Sequence, residues 1–324
     1  VLLIVVTSLA LAEKGKDAVW QKTQAFMQQP REVPNDAPGT PATRKGARRV
    51  HSYLGSFTNV QVNVDGNGAN IIGDAANEPS IAVDPTFPNH MSIGWRQFGT
   101  ILSDFRQAGV AYSRDGGRTW TANGPLEPSV FRSDPVLASS ANGTFYYNSL
   151  KVVNGSFTCQ VFESSNGGMS WGAPVPAQGG DKAWMTVDRS GGIGHGHLYE
   201  AWSTAAGCCG INIFSRSTNE NITWSLPIAI PQSPRWGTMI VDSNGYLWIA
   251  GVNGSAPNRV LVTWSIDAQA ESVTPILFTT AENIGGNLVA GLEESPNPAG
   301  LLGQVWIDVD RSGGPRDGWL YIVA

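Results

Sequence analysis

The sequence predicts an all-β protein made of repeated sheets of four short strands, a β-propeller. Apolar strand segments recur five times, each with a second strand containing aromatic residues. Turn signals separate the segments every ~8–12 residues, as in chains of many short strands. A Ser-x-Asp/Asn turn ending in Trp follows the third strand in three of the units. No long stretch shows a 3.6-residue apolar period, so little helix is expected.

The chain opens on VLLIVVTSLALA, residues 1–12, which ends in the small-x-small triplet Ala10-Leu11-Ala12. It reads as the remnant of a secretory signal peptide cleaved after Ala12. It falls short of the ~20 apolar residues a spanning helix needs. No later apolar run is longer, so no membrane span is expected in the mature chain, and a secreted, periplasmic or extracellular location is.

Residues 13–50 read as a flexible, basic, Pro-rich leader, with eight Lys/Arg against four Asp/Glu. Setting these aside from the chain's 21 basic and 26 acidic residues leaves 13 against 22, a net charge of −9. That balance argues against a nucleic-acid partner for the main domain. Residues 51–324 are expected to form the propeller, incomplete at its C-terminal end. The segment 53–64, YLGSFTNVQVNV, is expected to close the ring by pairing with the last blade.

The five units start at Glu78, Asp134, Asp181, Trp236 and Gly303, with spacings of 56, 47, 55 and 67 residues. A unit of roughly 40–60 residues with four short strands is the signature of a propeller blade. The spacing also fits a sandwich, but the in-phase repetition favours the propeller.

The turns explain themselves physically. In SRDGGRTW, Asp115 accepts hydrogen bonds within the loop and Gly117 supplies a positive φ. Ser113 and Thr119 bond across the loop, and Trp120 plugs the sheet edge. The second copy has Ser164, Asn166, Gly168, Ser170 and Trp171 in these places. The third has Ser217, Asn219, Asn221, Thr223 and Trp224. Asn tolerates positive φ better than other non-glycine residues, so Asn221 can replace the glycine. A catalytic carboxylate would not become an amide in two copies of three, so these turns are folding devices. The fourth unit, with RVLVTWSID, carries no such turn in this reading.

The S-x-D-x-G-x-T-W pattern resembles the Asp-box, or BNR repeat, of the sialidase superfamily. NEPSIAVDP, SDPVL, DKAWMTVD and GGIGHGHLYEAW resemble secreted bacterial sialidase-like proteins. The resemblance spans about residues 77–324 and implies a six-bladed propeller, here cut to about four to five blades, with its boxes on the blade periphery. It also implies exo-α-sialidase-like chemistry: an arginine cluster for a sugar carboxylate, a Tyr nucleophile helped by a Glu, and an Asp acid/base. The family's Arg-Ile-Pro motif is missing, so no catalytic residue is carried over.

Candidates come instead from the leading ends of the first strands, which would line the channel mouth. Glu78, Asp134 and Asp181 are the catalytic candidates, since paired carboxylates serve glycoside hydrolysis. Arg132, Lys182, Arg235 and Arg96 are the substrate-binding candidates. Each has a plainer reading as a strand cap or loop partner. Tyr146, Tyr147 and Tyr199 read as packing.

No cofactor is expected, apart from a structural calcium near Asp65, Asn67, Asn70 and Asp74, where an Asx-rich turn is the competing reading. His195 and His197 lack a third metal ligand nearby. Among Cys159, Cys208 and Cys209, one disulfide joining Cys159 to Cys208 or Cys209 is expected.

Two functions fit. One is a secreted sialidase-like glycoside hydrolase acting on an extracellular glycan or glycoconjugate. The other is a non-catalytic propeller binding glycans or protein partners. The acidic balance favours a neutral sugar over an anionic one.

Overall fold

The computed structural model describes residues 3–6, 51–54, 57–204, 207–256, 258–283 and 305–323. The described residues contain strands and turns and no helix. The basic leader lies outside them.

Strand β1 (Leu3–Val6) is followed by the hairpin of β2 (His51–Leu54) and β3 (Phe57–Val60). The first four-stranded sheet has β4 (Ala75–Val83), β5 (Met91–Phe98), β6 (Arg106–Ser113) and β7 (Thr121–Pro125). The second has β8 (Ser133–Ser139), β9 (Phe145–Val153), β10 (Ser156–Ser164) and β11 (Val175–Gln178). The third has β12 (Trp184–Val187), β13 (Leu198–Ala201), β14 (Asn212–Ser217) and β15 (Ile228–Ala229). The fourth has β16 (Arg235–Val241), β17 (Leu247–Val252), β18 (Arg259–Ser265) and β19 (Phe278–Asn283). Last come β20 (Trp306–Val309) and β21 (Leu320–Val323), which pair antiparallel, with β1 parallel to β21.

All four sheets are antiparallel meanders in chain order, as the repeat predicts. The segment 53–64 behaves differently from the expectation. Its strands pair with each other, His51 opposite Val60 and Leu54 opposite Phe57, rather than joining the last sheet. Pairing strands that are close in sequence costs less chain entropy than a distant pairing.

The turn after each first strand is built alike. An Asx oxygen accepts the N–H two residues on: Asp84 from Thr86, Asp188 from Ser190, Asp242 from Asn244 and Asp310 from Ser312, at 2.7–2.9 Å. Asn142 does the same for Thr144 at 3.1 Å. These are the turns that Asp and Asn favour because their side chains mimic a backbone carbonyl.

The chain forms two compact units, Val33–Ala177 and Val1–Glu32 with Gln178–Ala324. In the first, Ala82, Ala108, Val110, Leu137, Phe145, Tyr147 and Phe162 form a core against Trp171 and Leu126. Tyr147 stands edge-on to Phe162 and Trp171, with centroids 6.3 and 5.9 Å away. Its hydroxyl donates to the Gly109 carbonyl at 3.2 Å, and burial pushes its pKa up. Tyr146 and Tyr199 are buried as well.

In the other unit, Ala250, Val252, Val260 and Val262 pack against Val305, Ile307, Val309, Leu320 and Ile322.

The Ser-x-Asp/Asn turns close β6 onto β7, β10 onto β11 and β14 towards β15. Each uses one hydrogen-bond pattern. Ser113 Oγ donates to Asp115 Oδ1 at 2.8 Å and accepts the Gly117 N–H at 2.9 Å. Asp115 accepts the Thr119 N–H and hydroxyl at 2.8 and 2.7 Å, and Trp120 Nε1 donates to the Gly117 carbonyl. Ser164, Asn166, Gly168 and Ser170 repeat the pattern, and so do Ser217, Asn219, Asn221 and Thr223. Gly117, Gly168 and Asn221 all have positive φ, at 81, 84 and 68°. With Asn in the second position, its amide donates to the Ser170 or Thr223 hydroxyl, so the bond survives with its direction reversed.

The fourth sheet has half of such a turn, contrary to the sequence reading. Ser265 Oγ donates to Asp267 Oδ1 at 2.7 Å, and Asp267 also accepts the Ile276 N–H at 3.0 Å. A longer loop moves the closing N–H nine positions away, which hides the spacing.

The Thr119 bonds hold the Asp115 carboxyl at about 2, below its usual 3.8. A carboxyl lowered on folding adds stability above its unfolded value and loses it as the pH falls towards its folded one. Acid unfolding should therefore show an Asp115-dependent loss between about pH 4 and pH 2. Tryptophan fluorescence of Asp115→Asn should show a smaller loss in that window. An unchanged acid profile would refute the assignment.

Candidate functional site

The first strands β4, β8 and β16 share an irregularity near their leading ends. The pairing register shifts between Asn77 and Ser80, between Ser133 and Val136, and between Arg235 and Thr238. Such bulges re-aim the side chains they carry. At the first two, the carboxylate residue before proline takes a left-handed backbone, with φ 49° at Glu78 and 46° at Asp134. Lys182, just ahead of β12, does the same at 57°. Left-handed non-glycine residues cost free energy, and a proline restricts its predecessor further. The same cost is incurred at equivalent places of two successive sheets.

Neighbouring first strands are tied together just past each bulge. Ser80 Oγ accepts the Leu137 N–H at 2.9 Å, and Ser139 Oγ donates to the Val83 carbonyl at 2.7 Å. That alignment puts Glu78 and Asp134 at the same end of adjacent strands. In the other unit Thr238 Oγ1 accepts the Ile307 N–H at 2.8 Å.

Within Val33–Ala177 the candidates fall into two settings. Glu78 Oε1 is ion-paired with Arg96 Nη2 at 2.9 Å, and Arg96 Nε donates to Asn77 Oδ1 at 2.7 Å. The Glu78 side chain stays 22% exposed. Asp134 is buried, and Ser133 Oγ donates to its Oδ1 at 2.8 Å. Ser133 in turn accepts from Arg106 Nε at 3.2 Å.

Arg132 is fully enclosed. It pairs with Glu127, donates to Gln160 and to the Ser149 carbonyl, and lies 4.9 Å over the Phe162 ring. Burial lowers its pKa, with the Glu127 pair opposing the shift.

In the other unit, Lys182 Nζ lies 3.9 Å from Asp181 Oδ1, with both side chains under a fifth exposed. Lys182, Trp184, Trp202, Pro234, Gly237 and Met239 line a shallow cleft between β12 and β16. Trp184 meets Trp306 edge-on at 5.0 Å, and Trp306 is half exposed. Arg235 opens β16 opposite Val252 and is half-buried.

The sequence reading passed over Arg106 and Glu200. Both are buried and charged: Arg106 opens β6, and Glu200 lies within β13, a segment that reads as apolar. The alternation signal that marks a strand hides an inward-facing charge.

The proposed calcium ligands are engaged by the chain. Asp65 Oδ1 accepts the Asn67 and Ala69 N–H groups at 2.8 and 2.9 Å, an Asx turn. Asn70 Oδ1 accepts from Gln61, and Asp74 Oδ2 accepts from Asn63 and Gln97. His195 is exposed while His197 is buried with Nε2 3.7 Å from Glu271, so the two histidines diverge.

The disulfide expectation is corrected. Cys208 and Cys209 are bonded to each other, while Cys159 is buried in β10 of the other unit.

No family model matches the sequence, and no curated protein matches it. Solved structures show a distant likeness. A protein of unknown function from Dyadobacter fermentans is 16% identical over 78% of this chain and 96% of its own, with TM-score 0.37. A glycosyl hydrolase from Bacteroides ovatus is 14% identical over 89% and 96%, with TM-score 0.43. A family 117 glycoside hydrolase from Zobellia galactanivorans is 12% identical over 86% and 89%, with TM-score 0.42.

Proposed function

We propose that this chain is a secreted, sialidase-like glycoside hydrolase of propeller architecture acting on an extracellular glycan. One observation carries the reading. Two successive first strands hold a carboxylate, Glu78 and Asp134, in a left-handed pre-proline conformation at a bulge, at the same end of both strands. Backbone strain repeated at one level marks a place where side-chain direction matters more than stability. Arg96, ion-paired with Glu78, is the candidate for holding substrate in this unit, whereas Arg132 is enclosed by Glu127, Gln160 and Ser149 and has no surface to offer a sugar. Asp181, Lys182 and Arg235 are separate candidates in the other unit. The net charge of −9 beyond the leader favours a neutral sugar. No helix among the described residues is long and apolar enough to cross a membrane.

The test is hydrolysis of a panel of fluorogenic neutral and anionic glycosides by the full chain. Asp134→Asn and Glu78→Gln should each cut kcat by about 10²–10⁴-fold with little change in stability. Asn suits the left-handed backbone at position 134. Activity unaffected by both variants would exclude these carboxylates.

The second reading is a propeller that binds glycans without cleaving them. The ion pair between Glu78 and Arg96 favours it, because a carboxylate so held serves recognition as well as chemistry. Glycan binding with no hydrolysis anywhere in the panel selects it.

A further inference from the structure

The Cys208–Cys209 bridge joins adjacent residues whose Cα atoms are 3.8 Å apart. A ring this small removes little freedom from the unfolded chain, so the bridge is a poor staple for the fold. What it shapes is local. Both sulfurs lie beside Gln178 Oε1, at 4.0 and 3.9 Å. The Cys208 N–H donates to the Gly179 carbonyl at 3.3 Å, and Gly207 pairs antiparallel with Gly180. Gly207 sits so tightly that a Cβ there would lie 2.9 Å from Gly180 Cα and 3.1 Å from the Trp202 ring. Next to this turn, the Ser203 N–H donates to the Asp181 carbonyl at 3.1 Å.

The segment so gripped is conformationally expensive. Gln178 and Lys182 have φ of 73 and 57°, and Cys209 itself has 75°. Left-handed non-glycine residues of this kind persist only where their surroundings over-determine them. The bridged turn is the part of those surroundings that covalent chemistry can change. Cys209 is exposed and Cys208 half-buried, whereas Cys159 is 1% exposed. Solvent-borne thiols therefore reach the bridge and not Cys159.

We propose that Cys208–Cys209 is a thiol–disulfide exchange site whose state sets the conformation of residues 178–182. A thiolate of a reducing dithiol attacks Cys209 Sγ. The S–S bond breaks, a mixed disulfide forms at Cys209, and Cys208 leaves as a thiolate that takes a proton from water. The second thiol of the dithiol then attacks the mixed disulfide and releases Cys209. Two electrons pass to the protein, and the dithiol becomes a cyclic disulfide. The reduced turn loosens its hold on Gln178–Lys182, and with it the placement of Asp181 and Lys182. The proposal is independent of whether the chain hydrolyses glycosides.

The experiment treats the folded full chain with dithiothreitol and follows alkylation by peptide mass and backbone hydrogen exchange. The oxidised chain should show the Cys208–Cys209 bond. Reduction should expose Cys208 and Cys209, but not Cys159, to alkylation. Amides of residues 178–182 should then exchange at least about tenfold faster, with β8–β10 unchanged. The Cys208→Ser/Cys209→Ser double variant should match the reduced state without reductant. Should it fail to fold, the wild-type comparison decides alone. Absence of the bond in the oxidised chain, a bridge that resists dithiothreitol until the protein unfolds, or unchanged exchange at 178–182 after full reduction would each overturn the proposal.

Discussion

Gly237→Ala is expected to destabilise the unit Gln178–Ala324 by about 3 kcal/mol or more, the upper end for overpacked sites. Gly237 lies in the bulge between Arg235 and Thr238, where β16 presses against β17. A Cβ there would stand 1.5 Å from the Ala250 carbonyl oxygen and 2.5 Å from its carbon. The obstacle is backbone, so no side-chain rotation can relieve it. Relief requires β16 and β17 to separate, which breaks the ladder around Thr238 and the Thr238–Ile307 bond to β20. Gly66→Ala is the control, since a Cβ at Gly66 meets nothing within 4 Å. Urea titrations should show the midpoint of Gly237→Ala far below the control's. Equal midpoints would mean the bulge does not pack this way.

Arg132→Ala should cost about 3–5 kcal/mol, the range for breaking a buried charge pair. Arg132 has no exposed surface, and its guanidinium is bound to Glu127, Gln160 and the Ser149 carbonyl. Removing it leaves a cavity against Phe162 and strands those acceptors. Arg132→Lys should recover only part of the loss, because one ammonium cannot reproduce the fork. Arg235→Ala offers the contrast. Arg235 is half-buried, so its loss should shift stability by less than about 1 kcal/mol. In the hydrolase reading it raises KM instead. Chemical denaturation and steady-state kinetics separate the two outcomes. An Arg132→Ala protein of normal stability would contradict the buried role.

The four meandering sheets were legible because strand, turn and strand recur in phase, and hydrophobic alternation survives changes of register. The Ser-x-Asp/Asn turns were legible to individual atoms. Ser113, Asp115 and Gly117 each have one conformational job, and Asn221 keeps the glycine's job by tolerating the same φ. The half-turn at Ser265 and Asp267 was not legible, because its closing donor, Ile276, is displaced by a longer loop. The pairing of β2 with β3 was missed because strand residues do not announce their partner. The Cys208–Cys209 bridge was not legible, because a bond between neighbours closes too small a ring for spacing to signal it.

The candidate site was legible only as a set of charged residues at strand starts. The left-handed backbone of Glu78 and Asp134, the enclosure of Arg132 and the buried charges of Arg106 and Glu200 depend on sheets packing against one another. A single sequence carries no direct mark of such contacts.

Where a sugar binds is the most direct test of the carboxylate site. A crystal structure of the full chain with a bound oligosaccharide decides that. The predicted result is a sugar oxygen within hydrogen-bond reach of the Glu78 and Asp134 carboxylates, with the Ser113, Ser164 and Ser217 turns bare. A sugar seated on those turns, with both carboxylates untouched, would contradict it.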